Sequence, residues 1–396
     1  MSIQTGVGKS KNKGSEKAGI EAAREAISQI QGLEPDLVMV FASAQFDQEK
    51  MLQGVRSITK DTPLVGCSTS GEIITEGPGS KLVIVMVLKS DQVKFTIGIG
   101  KDIKADSRDA GRKAAEDVVQ KTKGELSMFI MLPDGLTGNG ADIVRGVQDV
   151  LGEHFPIMGG SAGDDFKFEK TFEYYNGEVL NDSVVAVGLS GEFSWGVGVQ
   201  HGWEAIGLPM KVTKSEGAVL KELDNKPALK IYEEYFGKKS EELIREPIAR
   251  MAYTYPLGMS VKGSKELLIR DVVIANEKGE ITCAAEIPQG SEIRLMLSDP
   301  EKAMKAARKA AENARTQLKG ASPKAIFVFD CMARNKLLGE RIGEEITAIQ
   351  EVLGKDVPLI GFYTYGEQAP LGGNIDPETC RSEFHNETMT LLVIGE

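Results

Sequence analysis

One short phrase occurs three times in this chain. Its copies are Pro63-Leu64-Val65-Gly66-Cys67-Ser68-Thr69-Ser70-Gly71-Glu72, Pro156-Ile157-Met158-Gly159-Gly160-Ser161-Ala162-Gly163-Asp164-Asp165 and Pro358-Leu359-Ile360-Gly361-Phe362-Tyr363-Thr364-Tyr365-Gly366-Glu367. Each reads as a buried strand that breaks at glycine into a loop of small residues ending in glycine or an acid. Each follows a second apolar run (residues 37–42, 128–132 and 325–329) and a helical stretch. Recurrence on this scale marks a duplicated supersecondary unit. The repeated loops close parallel-type strands, where α/β proteins usually build their sites.

The surrounding pattern supplies the rest of the unit. Continuous short runs rich in Val, Ile and Phe predict strands buried on both faces. Ala-, Glu- and Arg-rich stretches at helical spacing predict helices over 19–30, 47–59, 107–121, 141–151 and 337–352. Asp106-Ser107 and Ser298-Asp299-Pro300 are helix starts, since Ser and Asp cap and proline suits the first helical position. A third unit is expected to open at the strand 293–297. The order β-α-β-α-β-β then recurs. The expected fold is α/β: two related modules of mixed sheets with covering helices, residues 1–208 and 209–396. Between units two and three lies a different block, 193–291, opening with Trp195-Gly196-Val197-Gly198-Val199-Gln200-His201-Gly202-Trp203. In it a helix is expected near 218–223, another over 228–235, and a hairpin around Glu277-Lys278-Gly279.

Composition narrows the function. A net charge of -11 over 396 residues argues against nucleic acid as a partner. The longest apolar run, 82–88, falls far short of the ~20 residues a membrane helix needs, and the Lys-rich N-terminus has no apolar signal core. A cytoplasmic protein is expected. Cys67, Cys283, Cys331 and Cys380 form no C-x-x-C pair, and the histidines are His154, His201 and His385, so no metal site is expected. Gly135-Leu136-Thr137-Gly138-Asn139-Gly140 lies between strand and helix but lacks dinucleotide spacing, and Gly6-Val7-Gly8-Lys9-Ser10 reads as a strand-to-helix turn rather than a P-loop. No cofactor is expected.

The quoted motifs carry a resemblance. The chain resembles the FIST sensory proteins, an N-terminal FIST module followed by a C-terminal one. The N-terminal match runs through Val65-Gly66-Cys67-x-x-x-Gly71-Glu72 and Gly159-Gly160-x-x-Gly163-Asp164. The C-terminal match runs through Cys331-x-x-Arg334, Pro358-x-x-Gly361-Phe362-Tyr363-x-x-Gly366-Glu367 and Phe384-His385-Asn386-x-Thr388. The resemblance implies a bacterial-type intracellular input module of signal transduction that binds a small ligand such as an amino acid. Such modules are often fused to output domains. Residues 1–396 are taken up by the sensor here, which implies a separate output partner.

Chemistry nominates ligand-binding residues within those motifs. Arg334 follows a strand end, where a guanidinium forks onto a carboxylate, and Glu367 closes the loop of a strand in the same unit. If the two strands are neighbours, the charges face one cleft and read both ends of an amino acid. The competing reading is an internal ion pair. Tyr363, Gly366, His385 and Asn386 belong to the same C-terminal motifs, and Cys331 with His385 has the residue types of a thiol enzyme. Cys67, Ser68, Gly71 and Glu72 in the first loop and Gly160, Ser161 and Asp164 in the second offer small side chains and backbone N–H groups. The expected function is small-ligand sensing, the ligand an amino acid or other small carboxylate. The alternatives are a thiol or acid-base enzyme and a non-catalytic scaffold.

Overall fold

The computed structural model describes residues 3–237, 240–245 and 248–396. Three units of one plan make up most of the chain. The first runs from strand Gln4–Ser10 through helix Ser15–Ser28, strand Leu37–Ser43, helix Gln48–Thr59 and strand Leu64–Thr69 to strand Val83–Lys89. The second runs from Val93–Lys101 through Ser107–Lys121, Leu126–Pro133, Gly140–Leu151 and Ile157–Gly160 to Ser183–Gly191. The third opens at Ser194–Gln200, is interrupted by residues 204–297, and resumes with helix Pro300–Gln317, strand Pro323–Cys331, helices Met332–Leu338 and Ile342–Leu353, and strands Leu359–Thr364 and Met389–Gly395.

In each unit the second strand lies parallel to the signature strand and antiparallel to the last strand, whose other neighbour is the first strand. Asp47, Asp106 and Asp299 cap their helices by accepting the backbone N–H three residues on. Pro300 occupies the first turn of its helix.

The first strand of every unit carries Gly-x-Gly, and the following helix is alanine-rich. A Cβ at Gly6 or Gly8 would meet the Ala26 or Ala22 carbonyl oxygen at 2.1 Å; at Gly100, Ala110 at 1.9 Å; at Gly196 and Gly198, Ala314 and Ala310 at 2.2 and 2.0 Å. Strand and helix backbones touch, so no larger residue fits. This places the opening of the third unit at Ser194–Gln200 and corrects the expectation that it begins at 293–297. It also corrects the turn assigned to residues 6–10, which lie in a strand.

The units interlock by exchanging hairpins. Each signature strand is followed by a short antiparallel hairpin that pairs with the signature strand of another unit. Glu72–Ile74 pairs with Leu359–Thr364, Glu173–Tyr175 with Leu64–Thr69, and Glu367–Pro370 with Ile157–Gly160. Unit one thus completes the sheet of unit three, unit two that of unit one, and unit three that of unit two. The inner faces of the three six-stranded sheets share a core containing Met39, Phe41, Met86, Ile130, Val187, Phe327, Phe329 and Phe362. Helices cover the outer faces. Burial on both sides explains why the strands read as unbroken apolar runs.

Residues 204–297 form a second body around their own core. Glu292–Leu297 belongs here, paired with Glu204–Glu216 and Leu257–Ser260. The expected hairpin at residues 277–279 is present as Val272–Ala275 against Ile281–Cys283. The helix expected near 218–223 is a strand, Val219–Leu223, in which a register shift between Leu220 and Glu222 lets both Leu220 and Leu223 pack inward. The helix expected over 228–235 is present as Lys230–Phe236.

Candidate functional site

Hairpin exchange gathers the three signature loops at one end of the sheets. Ser68 donates its hydroxyl to the Gly163 carbonyl at 2.7 Å and accepts the Phe172 N–H at 2.9 Å. The Ser70 N–H bonds the Tyr363 carbonyl, the Tyr363 N–H bonds the Gly71 carbonyl, and the Ser161 N–H bonds the Gly366 carbonyl at 2.8 Å. The loop residues nominated from sequence therefore meet, but they spend their polar groups on one another. Asp164 illustrates this: its carboxylate accepts the N–H groups of Phe168, Glu169 and Lys170 and the Tyr365 hydroxyl. Burial pushes its carboxyl upward, but the Tyr365 hydroxyl and the three N–H groups together outweigh that and hold it below the usual range.

Each exchanged hairpin opens with a buried glutamate. Glu72 accepts the Thr69 hydroxyl and the Leu82 N–H; Glu367 accepts the Thr364 hydroxyl and the Thr388 N–H. Burial pushes both up to about 8, against the opposing pull of these bonds. Glu173 is the third member, set opposite Cys67, and burial followed by Asp134 holds it well above the carboxylate range. Sequence reading missed it because a longer loop separates it from its signature, which was taken to end at Asp165.

The densest polar cluster lies at the strand ends of the third unit, where the inserted body packs against it. Arg334 and Glu367 were expected to face one cleft. Instead Arg334, wholly buried, donates to the carbonyls of His201 and Ala303 and to Glu345, with its Nε 3.1 Å from Asp330. Burial alone would lower its pKa, but Glu345 and Asp330 reverse that and keep the guanidinium charged. The Trp203 ring lies 5.7 Å from its guanidinium carbon. Glu367 turns instead to the Thr364 hydroxyl and the Thr388 N–H, and the Cys331 thiol lies within its electrostatic reach.

His385 presents Nε2 to the Ala369 carbonyl at 3.0 Å, and burial lowers its pKa to about 3. It is neutral and committed. The Cys331 thiol is pushed well above its ordinary value, by burial first and then by Glu367 and Glu387. The low-pKa nucleophile that a thiol enzyme needs is absent from this pair. Cys67 is likewise buried and raised, and Tyr363 sits beneath Arg334's acids with its phenol held protonated by burial.

The sequence reading missed the acids of this cluster. Asp330 follows the apolar run 325–329 of its strand, Glu345 stands on the helix behind it, Glu387 in the turn after Asn386, and Asp271 on the inserted body. Asp330, Glu345 and Glu387 are fully buried. Asp330 and Glu345 share the Arg334 guanidinium, and Asp271 lies close enough to Glu387 to raise it. Burial, reinforced by Glu345, raises Asp330 well above the usual range; burial, reinforced by Asp271, does the same for Glu387; burial carries Asp271 to about 7. Glu387 also holds a left-handed backbone, φ 54°, unusual for a non-glycine residue. The available sequence signal was an acid at the end of a buried strand (Asp330) and one inside the His385-Asn386 motif (Glu387).

The FIST N domain matches residues 36–226 and the FIST C domain matches residues 228–370. The chain belongs to the FIST family. FIST domains are associated with sensory signal transduction and small-ligand binding. An uncharacterized protein from Methanocaldococcus jannaschii is 26% identical, covering 91% of this chain and 73% of its own. One from Mycobacterium tuberculosis is 24% identical over 94% of this chain and 96% of its own, and one from Mycobacterium bovis 25% identical over 99% and 98%. Among solved structures, a cyanuric acid hydrolase aligns along 100% of both chains at 9% identity with a TM-score of 0.34, and PurL from Thermotoga maritima scores 0.24. Likeness this weak carries no argument for the FIST chain.

The open clefts lie elsewhere. One of about 670 Å³ runs between helices Pro300–Gln317 and Ile342–Leu353 and is lined by Glu76, Glu301, Arg308, Glu344 and Glu351. Another of about 400 Å³ lies on the inserted body beside Leu208 and Tyr235. Neither touches the signature loops. No helix among the described residues is long and apolar enough to cross a membrane.

Proposed function

We propose that this FIST protein is a cytoplasmic small-ligand sensor whose ligand, an amino acid or similar small polar metabolite, binds at the strand ends of the third unit beneath the inserted body. The observation that carries the reading is the buried cluster around Arg334. Buried polar groups are normally hydrogen-bonded, and unpartnered ones call for a missing water, ion or ligand. Here Asp330, Glu387 and Asn386 all keep unpartnered oxygens. Arg334 shapes the site from behind, held by Asp330 and Glu345, rather than gripping a carboxylate. A ligand bridging the inserted body and the third unit changes how they pack, and a separate output protein reads that change.

A thermal-shift screen against amino acids, small organic acids and nucleotides tests the proposal. A ligand at a hundred times its Kd adds about 2.7 kcal/mol of stability, enough for a visible shift. A saturable shift with at least one class is expected. No shift at millimolar concentrations from any class overturns the sensor reading in favour of a scaffold.

A further inference from the structure

Where the signature loops meet, the chain holds an aromatic ring in water. We propose that this surface, built from Phe168, Tyr365 and Leu136 and rimmed by Lys167, Lys170 and Lys336, docks an acidic segment of a partner protein that brings an apolar side chain of its own. Phe168 is 57% exposed and Leu136 38%. The Phe168 ring lies flat on Tyr365, with centroids 4.8 Å apart and planes 11° from parallel. The Leu136 loop abuts the same tyrosine: a Cβ built on Gly135 would lie 3.1 Å from Tyr365 Cβ. Three separate segments thus supply one apolar surface, the kind that marks an interaction site.

The ring is held there at a cost. Asp165, Phe166 and Phe168 all take left-handed backbone, φ 57°, 63° and 57°, a region that residues other than glycine seldom adopt. The buried Asp164 carboxylate enforces this by accepting the N–H groups of Phe168, Glu169 and Lys170 together with the Tyr365 hydroxyl. A preset aromatic anchor is where protein interfaces concentrate their binding energy. Because the ring lies flat on its neighbour rather than projecting, it suits a shaped protein partner more than a bilayer.

Charge names that partner. Acids outnumber Lys and Arg by 58 to 47 in the chain, yet this rim is basic. Lys167, Lys170 and Lys336 are exposed, and among the described residues none of them forms a salt bridge. Lys336 Nζ instead sits 3.8 Å from the Phe166 ring centre and Lys170 Nζ 5.0 Å from that of Phe172. Glu169 is the exposed acid of the loop, and Asp165 is engaged with the Ser43 hydroxyl. Three free ammonium groups around an apolar centre complement an acidic segment. Lys336 shares its helix with Arg334, so the surface adjoins the proposed ligand site. Its use as the output face rests on the sensor reading; the docking itself does not.

Random peptides displayed on phage, selected on the full chain and measured by fluorescence anisotropy, test it without any metabolite. The enriched peptides should be acidic, carry an aromatic or large aliphatic residue, and bind more weakly as salt rises. Phe168→Asn, or joint reversal of the three lysines to glutamate, should weaken them at least about ten-fold. Asparagine tolerates left-handed backbone, so Phe168→Asn should melt no lower than wild type. Enrichment of basic peptides, or peptides that bind Phe168→Asn as well as wild type, overturns the proposal. A clearly lowered melting temperature in Phe168→Asn also overturns it, making the ring a structural clasp. Sedimentation with phosphatidylserine–phosphatidylcholine vesicles while no peptide is enriched overturns it in favour of a membrane contact. If acidic peptides bind while the metabolite screen finds nothing, the sensor reading falls and the docking surface stands.

Discussion

Replacing Arg334 with alanine should behave as a stability lesion. The guanidinium is fully buried and closes a four-way junction: two backbone carbonyls and two carboxyl groups converge on it. Removing one partner of a buried ion pair costs about 3–5 kcal/mol, and each stranded carbonyl adds about 1–3 kcal/mol when no water reaches it. Protonation of a freed acid returns part of this, so a net loss of about 4–6 kcal/mol is expected. With a urea dependence near 3 kcal/mol per molar, the unfolding midpoint should fall by roughly 1–2 M. The loss should grow with pH. Asp330 already titrates well above the carboxylate range, with Arg334 pulling it back down. Without Arg334 it titrates higher still. A raised acid contributes stability that is complete below its unfolded pKa and lost as pH rises through the folded one. The gap between wild type and variant is therefore smaller at pH 5.5 than at pH 8.5. Urea titrations read by tryptophan fluorescence at both pH values suffice. A wild-type midpoint at both, with ligand binding abolished, would refute this reasoning and restore Arg334 as a ligand-facing fork.

Other consequences follow from the same geometry. Glu72 and Glu367, both raised to about 8, make the protein lose stability between about pH 5 and 8, by up to about 1.4 kcal/mol per pH unit for each group; Glu72→Gln and Glu367→Gln should each flatten that slope in pH-resolved melts. Gly198→Ala drives a methyl into the Ala310 carbonyl, 2.0 Å from the built Cβ, and should lower the urea midpoint by an amount equivalent to about 1–3 kcal/mol. All four cysteines are buried, and burial raises each thiol, so the native protein should react with a thiol reagent at neutral pH only at the rate of unfolding; fast labelling of Cys331 would revive the thiol-enzyme alternative.

The signature loops and strand runs were legible in the sequence because glycine breaks and doubly buried strands leave local marks. Hairpin exchange was not, because nothing near Glu72, Glu173 or Glu367 says which sheet the next strand joins. The start of the third unit was hidden by the insertion: Ile293–Leu297 looks like an opening strand, while the real one, Gly196-Val197-Gly198, lies a hundred residues before its helix. The Gly-x-Gly shared with Gly6-Val7-Gly8 and Gly98-Ile99-Gly100 was the signal for it. At the site, residue types pointed to Arg334 and Glu367, yet side-chain direction decides partners. Arg334 turns from Glu367 to Glu345 on the helix behind, a contact that no spacing in the motif encodes.

The central claim is that ligand binds at the strand ends of the third unit, under the inserted body. Hydrogen exchange of the full chain, with and without a saturating hit from the thermal-shift screen, tests it most directly. The account predicts new protection concentrated in residues 270–272, 330–345 and 384–390. Protection confined to the cleft between helices Pro300–Gln317 and Ile342–Leu353, or to the signature loops of the first two units, would contradict it.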